Sequence, residues 1–304
     1  AAAWLRDHGW TVVLQQVTPA RANIWATHGA GVITLSTHLD TVPPFIPPSR
    51  TATRLAGRGA CDAKGIAAAM MVAAQQLAEE GEKRVDLLLV VGEEQSSDGA
   101  RAANTLPATS RYLINGEPTE GLLASGAKGS MLVTLRTCGR AAHSAYPELG
   151  DSALLPMLTL LPTLGDLELP TDARLGGTTV NIGTLHAGRA PNVIPDEATA
   201  ELLVRHVGDV APVRDALERW SLGRADIEFA PHIPAQHFHT VPGFESAPVA
   251  YTSDIPLLDR WGTPLLFGPG SIRIAHTPDE YIQIAELHAA VGAYVRLVRT
   301  LLAS

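Results

Sequence analysis

The apolar run Val85-Asp86-Leu87-Leu88-Leu89-Val90-Val91 ends on two adjacent carboxylates, Glu93 and Glu94, just before the loop Gln95-Ser96-Ser97-Asp98-Gly99. Paired negative charges at the end of so apolar a strand are costly unless something offsets them, and a metal ion at the mouth of a sheet is the natural offset. A chain with this feature has to bring further ligands to the same rim. They stand at comparable places: His38 and Asp40 in Thr37-His38-Leu39-Asp40-Thr41, Asp62 in Gly59-Ala60-Cys61-Asp62-Ala63-Lys64-Gly65, Glu117 in Asn115-Gly116-Glu117-Pro118, and His276 in Ala275-His276-Thr277-Pro278. Each follows or closes an expected strand.

The pattern around these residues is that of an α/β sheet covered by helices. Val12 to Val17, Val32 to Thr37, Val85 to Val91 and Tyr112 to Ile114 are apolar runs of strand length. Lys64 to Glu80 reads as a helix closed by Gly81, and Asp98 to Asn104 starts another. After Ser125 the character changes. Ser130 to Cys138 alternates as a half-buried strand, Asp151 to Leu164 reads as a helix with a proline inside, and Thr178 to Leu185 and Ala198 to Val207 read as strands. Val210 to Leu222 is a helix and Asp226 to Phe229 a short strand, completing a β-α-β-β-α-β order that predicts an inserted ferredoxin-like α+β domain. The chain then returns to α/β character, with Thr263 to Phe267 a strand, Gly268-Pro269-Gly270 a turn and Glu280 to Leu302 a long closing helix. The expected division is 1–125 and 233–304 for the first domain, with 126–232 inserted.

Composition narrows the class. With 304 residues, 46% hydrophobic and 18% charged, the chain is compact and large enough for two domains. A net charge of −8 argues against nucleic acid as a partner. Two cysteines, Cys61 and Cys138, give no disulfide framework and favour a reducing, cytoplasmic setting. No apolar run reaches membrane-span length and the opening residues lack a signal-peptide pattern. Ala1 to His8 reads as the tail of an amphipathic helix ending at Gly9, which suggests a preceding segment.

Taken singly, each ligand candidate has a plain explanation: His38 as a core histidine, Asp62 as a helix cap, Glu93-Glu94 as a solvated strand end, Glu117 as a turn residue. Together, His38, Asp62, Glu94, Glu117 and His276 offer two imidazoles and three carboxylates with no thiolate, a set suited to Zn²⁺, with Co²⁺ or Mn²⁺ as alternatives. If one carboxylate bridges, such a set holds two metals about 3.5–4 Å apart, and Asp62 is the natural bridge. Strand periodicity puts His38 and Asp40 on one face, so Asp40 is expected to accept the second ring N–H of His38. If the strand is still extended there, Glu93 and Glu94 point to opposite sides, leaving Glu94 for metal and Glu93 as the base. His232, His237 and His239 look like a metal cluster but lie among prolines in the return linker, and Cys61 is read as a small core residue.

The segments His38-Leu39-Asp40-Thr41-Val42-Pro43, Gly57 to Gly65, Gly92-Glu93-Glu94, Asn115-Gly116-Glu117-Pro118-Thr119, Gly268-Pro269-Gly270-Ser271-Ile272 and Ala275 to Tyr281, in this order, resemble the acetylornithine deacetylase, succinyl-diaminopimelate desuccinylase and aminoacylase family of co-catalytic zinc metallopeptidases. The resemblance runs over nearly the whole chain. It implies a zinc-peptidase-like α/β catalytic domain whose ferredoxin-like insert is a lid and dimerisation domain. It also implies two zinc ions, with His38 and Glu117 on one, Glu94 and His276 on the other, Asp62 bridging, Glu93 as general base, and a cis Asp62-Ala63 peptide. His143, in Gly139-Arg140-Ala141-Ala142-His143-Ser144-Ala145, resembles the histidine that reaches a partner's active site. Asn192 resembles a substrate-contacting asparagine, and Arg205 stands where a strand arginine holds a substrate carboxylate, a task its planar fork suits. The turn at Gly268 is expected to add backbone N–H groups to the same anion. The implied activity is removal of an N-acyl group from an amino acid, closest to acetylornithine deacetylase and the related lysine-biosynthetic deacylase. A dipeptidase or carboxypeptidase of the same chemistry is the alternative, and a non-catalytic binding protein on this fold the third reading.

Overall fold

The computed structural model describes residues 1–304. Its contacts separate two units, one of residues 1–125, 238–247 and 253–304, the other of residues 126–237 and 248–252. The chain thus crosses back at 237/238, five residues beyond the expected 232, because Gln236 and His237 still pair with Ala127 and Gly126. A short later stretch also belongs with the second unit, through a bond from Lys128 N–H to the Val249 carbonyl.

The first unit is built on a six-stranded sheet in the order Thr11–Thr18, Arg21–Thr27, Val85–Val90, Ile33–His38, Tyr112–Asn115, Thr263–Leu266. The last four strands run parallel, with His38 opposite Val90, Ser36 opposite Asn115 and Leu266 opposite Asn115. Their carboxyl ends therefore lie side by side, the edge at which open α/β sheets place their ligands. All six residues of both Ile33–His38 and Val85–Val90 are buried. That is what strands covered on both faces require. Ile66, Met70, Ala73, Ala74 and Leu77 of the helix Lys64–Glu79 share one core cluster with Leu35, Leu87, Leu89, Ile114 and Leu265. Tyr294, Leu297 and Val298 of the closing helix join it, and Tyr294 donates to the Phe267 carbonyl at 2.8 Å.

Several short elements of this unit lie outside the expected set. Arg21–Thr27 is a strand that no apolar run marks; it forms a hairpin with Thr11–Thr18 and pairs antiparallel with Val85–Val90. The closing helix spans Ile284–Ala303, because Tyr281–Gln283 pairs instead with Arg54–Ala56.

The second unit has a four-stranded antiparallel sheet in the order Thr179–Ala187, Glu197–Arg205, Met131–Cys138, Asp226–Phe229. Numbered along the chain this is 2-3-1-4, the ferredoxin-like order. Leu202, Val204, Val133 and Leu135 bury one face against Met157, Leu160, Val213, Leu217 and Trp220 of two helices. The first of these, expected over Asp151 to Leu164, is helical only over Leu154–Leu160 and tightens to a 3₁₀ turn over Leu161–Asp166. Its start is held back because Asp151 pairs with Arg140, and Pro162 lacks the N–H needed to continue the helix. No helix in the protein is long and apolar enough to cross a membrane.

Candidate metal centre

The parallel strand ends deliver the expected residues to one place. His38 is the last residue of its strand, Glu117 lies two residues beyond Tyr112–Asn115, and Asp62 precedes the helix Lys64–Glu79 across a cis Asp62-Ala63 peptide. His276 comes from the loop after Thr263–Leu266 and takes the left-handed backbone conformation, φ +64°. His38 Nε2 stands 2.9 Å from Asp62 Oδ1 and 4.0 Å from Glu117 Oε1. His276 Nε2 stands 3.3 Å from Asp62 Oδ2 and 3.0 Å from Glu94 Oε2. The two oxygens of Asp62 thus face two different imidazoles, each with its own glutamate.

Glu93 and Glu94 are not on the strand. Val85–Val90 ends before them, Gly92 turns the chain at φ +85°, and both glutamates sit in the turn that follows, so strand alternation does not set their directions. One carboxylate organises that turn instead. Asp40 Oδ1 accepts from the Glu93 N–H at 3.2 Å and Asp40 Oδ2 from the Glu94 N–H at 3.1 Å. With its carboxylate so engaged, Asp40 meets His38 through its backbone: the ring Nδ1 lies 3.1 Å from the Asp40 carbonyl oxygen and 3.7 Å from Oδ1.

The electrostatics show how much negative charge is gathered. Burial pushes the Glu93 carboxyl up to about 8, with Asp254, Asp62 and Glu94 adding to the rise and His38 opposing it. Burial raises Glu117 well above the usual carboxylate range despite His38, and raises Glu94 as well. Asp62 is depressed, since its hydrogen bonds to His276 and His38 outweigh burial. For His38, burial is the largest single influence and acts downward, yet Asp40, Asp62 and Glu117 together hold its pKa well above normal. His276 is lifted to about 9, first by its hydrogen bond to Asp62. Carboxyl groups forced towards neutrality beside imidazoles forced towards cations are what a site built around positive metal ions looks like among its side chains alone. The donors fit: ligand atoms of His38, Asp62 and Glu94 all lie within 4.8 Å of one another, and none of the set is a thiolate.

Asp254 was not picked out from the sequence. It is buried, burial pushes it to about 6, and it acts electrostatically on both Glu93 and Glu117. Nothing in Thr252-Ser253-Asp254-Ile255 marks it, since it closes no strand. Gly268 does not serve as expected. Its amide donates to the Thr119 hydroxyl at 2.9 Å and its carbonyl accepts from Thr119 and Gly121, so it has no free donor for an anion. Cys61 is buried, with burial pushing its thiol up to about 12. The three linker histidines go separate ways: His232 rests on His206, His237 lies 3.6 Å from Asp172, and His239 packs against Tyr112.

In the second unit, the segments of His143 and Asn192 are joined. Ser144 N–H donates to the Asn192 carbonyl at 3.0 Å and His143 forms a β-bridge with Val193. Arg205 ends its strand with the Nη1 of its guanidinium buried and without a hydrogen-bond partner.

Residues 34–300 match the family described as Peptidase family M20/M25/M40. The chain belongs to that family. A relative from Aspergillus clavatus named "Probable carboxypeptidase" is 39% identical over 350 residues, covering 99% of this chain and 77% of the relative. The fold is similar to that of an M20 family metallo-carboxypeptidase from Sulfolobus solfataricus, with a TM-score of 0.76 at 17% identity over 98% of this chain and 92% of the other. It is also similar to a dinuclear metal binding peptidase of the M20 family from Bacillus subtilis, with a TM-score of 0.68 at 15% identity over 97% and 88%. Membership makes this M20 chain a metal-dependent hydrolase of the metallopeptidase and amidohydrolase kind. The names carried by these proteins are peptidase and carboxypeptidase, not the deacetylase branch expected from the motifs.

Because His38 and His276 are raised above the ordinary imidazole range and Glu94 and Glu117 above the ordinary carboxylate range, while ligation needs neutral rings and ionised carboxylates, metal uptake should release protons. Affinity should therefore rise with pH up to about 9, where His276 loses its proton unaided. Zinc titration calorimetry at pH 7 in two buffers of different ionisation enthalpy should give different apparent heats. Equal heats would mean that metal uptake releases no net protons and would contradict this.

Proposed function

We propose that this M20 chain hydrolyses the amide bond next to a free carboxylate in a short peptide, as a carboxypeptidase or dipeptidase, using two divalent metal ions. The observation that carries the proposal is Asp62, whose two oxygens face His38 on one side and His276 on the other, with the half-buried Glu93 close enough to feel its charge. His38 and Glu117 would hold one ion, His276 and Glu94 the other, with Asp62 shared, and the imidazole and carboxylate donors favour zinc. The ions, when bound, supply Lewis acidity towards a water molecule and towards the substrate carbonyl.

The remaining steps belong to the chain's own groups. Glu93, ionised once the neighbouring negative charge is offset by bound cations, takes the proton from the attacking water at its carboxylate and passes it to the leaving nitrogen. Asp40 keeps Glu93 and Glu94 in register by holding both of their amides. Arg205 receives the substrate carboxylate, in keeping with a guanidinium that has a buried nitrogen lacking a partner. Asn192, whose loop is tied to that of His143, contacts the substrate, and His143 hydrogen-bonds the scissile carbonyl oxygen.

N-acyl amino acids are the second reading, favoured by the resemblance of Gly268-Pro269-Gly270-Ser271-Ile272 and Ala275 to Tyr281 to the deacetylase motifs. The two substrates share a free carboxylate beside the amide and differ in what lies on the acyl side. Two unpaired cysteines agree with work in the cytoplasm. The working form is a homodimer made through the inserted unit, so that His143 serves the neighbouring chain. The edge strand Thr179–Ala187, with Ile182 and Leu185 exposed, and the exposed Leu155 and Leu158 support that assignment.

A substrate panel with zinc present tests the reaction. Dipeptides and short peptides with a free carboxyl terminus should turn over and their C-terminal amides should not; cleavage of N-acetyl or N-succinyl amino acids alone would favour the second reading, and no cleavage by metal-loaded protein would refute both. Glu93→Gln should lower turnover about 10²–10⁴-fold while keeping its metal. Loss of metal would show that Glu93 is a ligand instead. Mixing inactive Glu93→Gln with inactive His143→Ala should restore activity through mixed dimers. Proven subunit exchange without restoration would place His143 on its own chain's site or outside the reaction.

A further inference from the structure

Arg58 and Glu280 form an ion pair at 2.6 Å whose side chains are 3% and 0% exposed. A pair so deeply buried adds little net stability over apolar residues of similar volume, because both charges lose their water. Its other polar contacts show what it holds. Glu280 Oε1 accepts three backbone N–H groups, from Gly59 at 2.9 Å and from Cys61 and Asp62 at 3.1 Å. The loop that carries Asp62 is thereby wrapped around one carboxylate oxygen, and the amide of Asp62 itself is one of the three. At the other end of the pair, Arg58 Nη2 donates to the carbonyl of His276 at 3.4 Å, Nη1 to that of Thr277 at 3.3 Å and Nε to that of Pro44 at 3.4 Å.

Asp62 and His276 come from distant parts of the chain, and their side chains meet at 3.3 Å. His276 is in a left-handed backbone conformation that a histidine adopts at a cost, and its side chain is 48% exposed, so packing alone does not hold it. The Arg58–Glu280 pair is the direct connection between the two backbones: carboxylate to the Asp62 amide, guanidinium to the His276 carbonyl.

We propose that Arg58 and Glu280 are positioning residues that set the distance between Asp62 and His276 and thereby the affinity of the second metal position. The proposal rests on the reading of Asp62 and His276 as ligands. Neither Arg58 nor Glu280 touches metal or substrate; their effect passes through the backbone they hold. Outer partners of this kind change metal affinity by about 10–100-fold when altered.

The test uses Glu280→Asp, which keeps the charge on an arm one methylene shorter, and Arg58→Lys, which keeps the charge but loses the planar fork. Zinc is titrated in competition with a chromophoric chelator, and the thermal midpoint of the metal-free protein is measured alongside. Both variants should bind at least one of the two zinc equivalents about 10–100-fold more weakly than wild type. Wild-type affinity for both equivalents, with only the thermal midpoint lowered, would make the pair structural and overturn the proposal. If neither variant folds, Arg58→Leu combined with Glu280→Gln leaves no lone buried charge and is judged by the same criterion. Asp62→Ala separates this failure from that of the underlying reading, for it removes both oxygens, and if it too binds both equivalents as wild type, Asp62 is not a ligand.

Discussion

Everything at the carboxyl edge of the sheet follows from one electrostatic constraint: more carboxylates are buried there than the two histidines can neutralise. Glu93, Glu94 and Glu117 are all raised by burial, while His38 and His276 are pulled towards their charged forms. Without a positive ion these carboxyl groups are driven towards their neutral forms, and an ion completing the cluster would remove that cost. The parallel strands make the cluster possible, because His38, the Glu93-Glu94 turn, Glu117 and the loop to His276 all leave the same edge of the sheet.

Around that cluster lies a set of groups that act on backbone. Asp40 gathers the amides of Glu93 and Glu94, Glu280 gathers those of Gly59, Cys61 and Asp62, and Arg58 takes carbonyls from His276, Thr277 and Pro44. In each case a charged side chain holds the backbone of a loop that carries a candidate ligand and does not engage that residue's own side chain. A site on loops acquires in this way the stiffness that a site on strands would have had from the ladder.

Much of this was legible in sequence where the signal is local and periodic. Val85–Val90 follows from an apolar run bounded by turns, Asp226–Phe229 from its polar–apolar alternation, and the helix Lys64–Glu79 from its composition and closing glycine. His38, Glu94 and Glu117 stand out as ionisable groups just past apolar strands, and Asp62 and His276 through the family resemblance of their segments. What escaped is set by tertiary contacts. Arg21–Thr27 is too mixed in character to read as a strand until Thr11–Thr18 and Val85–Val90 flank it, and Tyr281–Gln283 is extended only because Arg54–Ala56 lies beside it. The Gly268 turn looked ready to bind an anion, yet the hydroxyl of Thr119, far away in sequence, takes its amide. Asp254 follows no strand, and the grip of Glu280 on the Asp62 loop joins opposite ends of the first unit. Periodicity carries no trace of either.

The central claim is that Asp62 stands between two metal ions, one on the side of His38 and Glu117 and one on the side of His276 and Glu94. Crystals grown with zinc, with data collected above and below the zinc absorption edge, test it most directly. The account predicts two anomalous peaks separated by about 3.5–4 Å, with one oxygen of Asp62 directed at each. A single peak away from Asp62, or one held by His232 or His237, would contradict it.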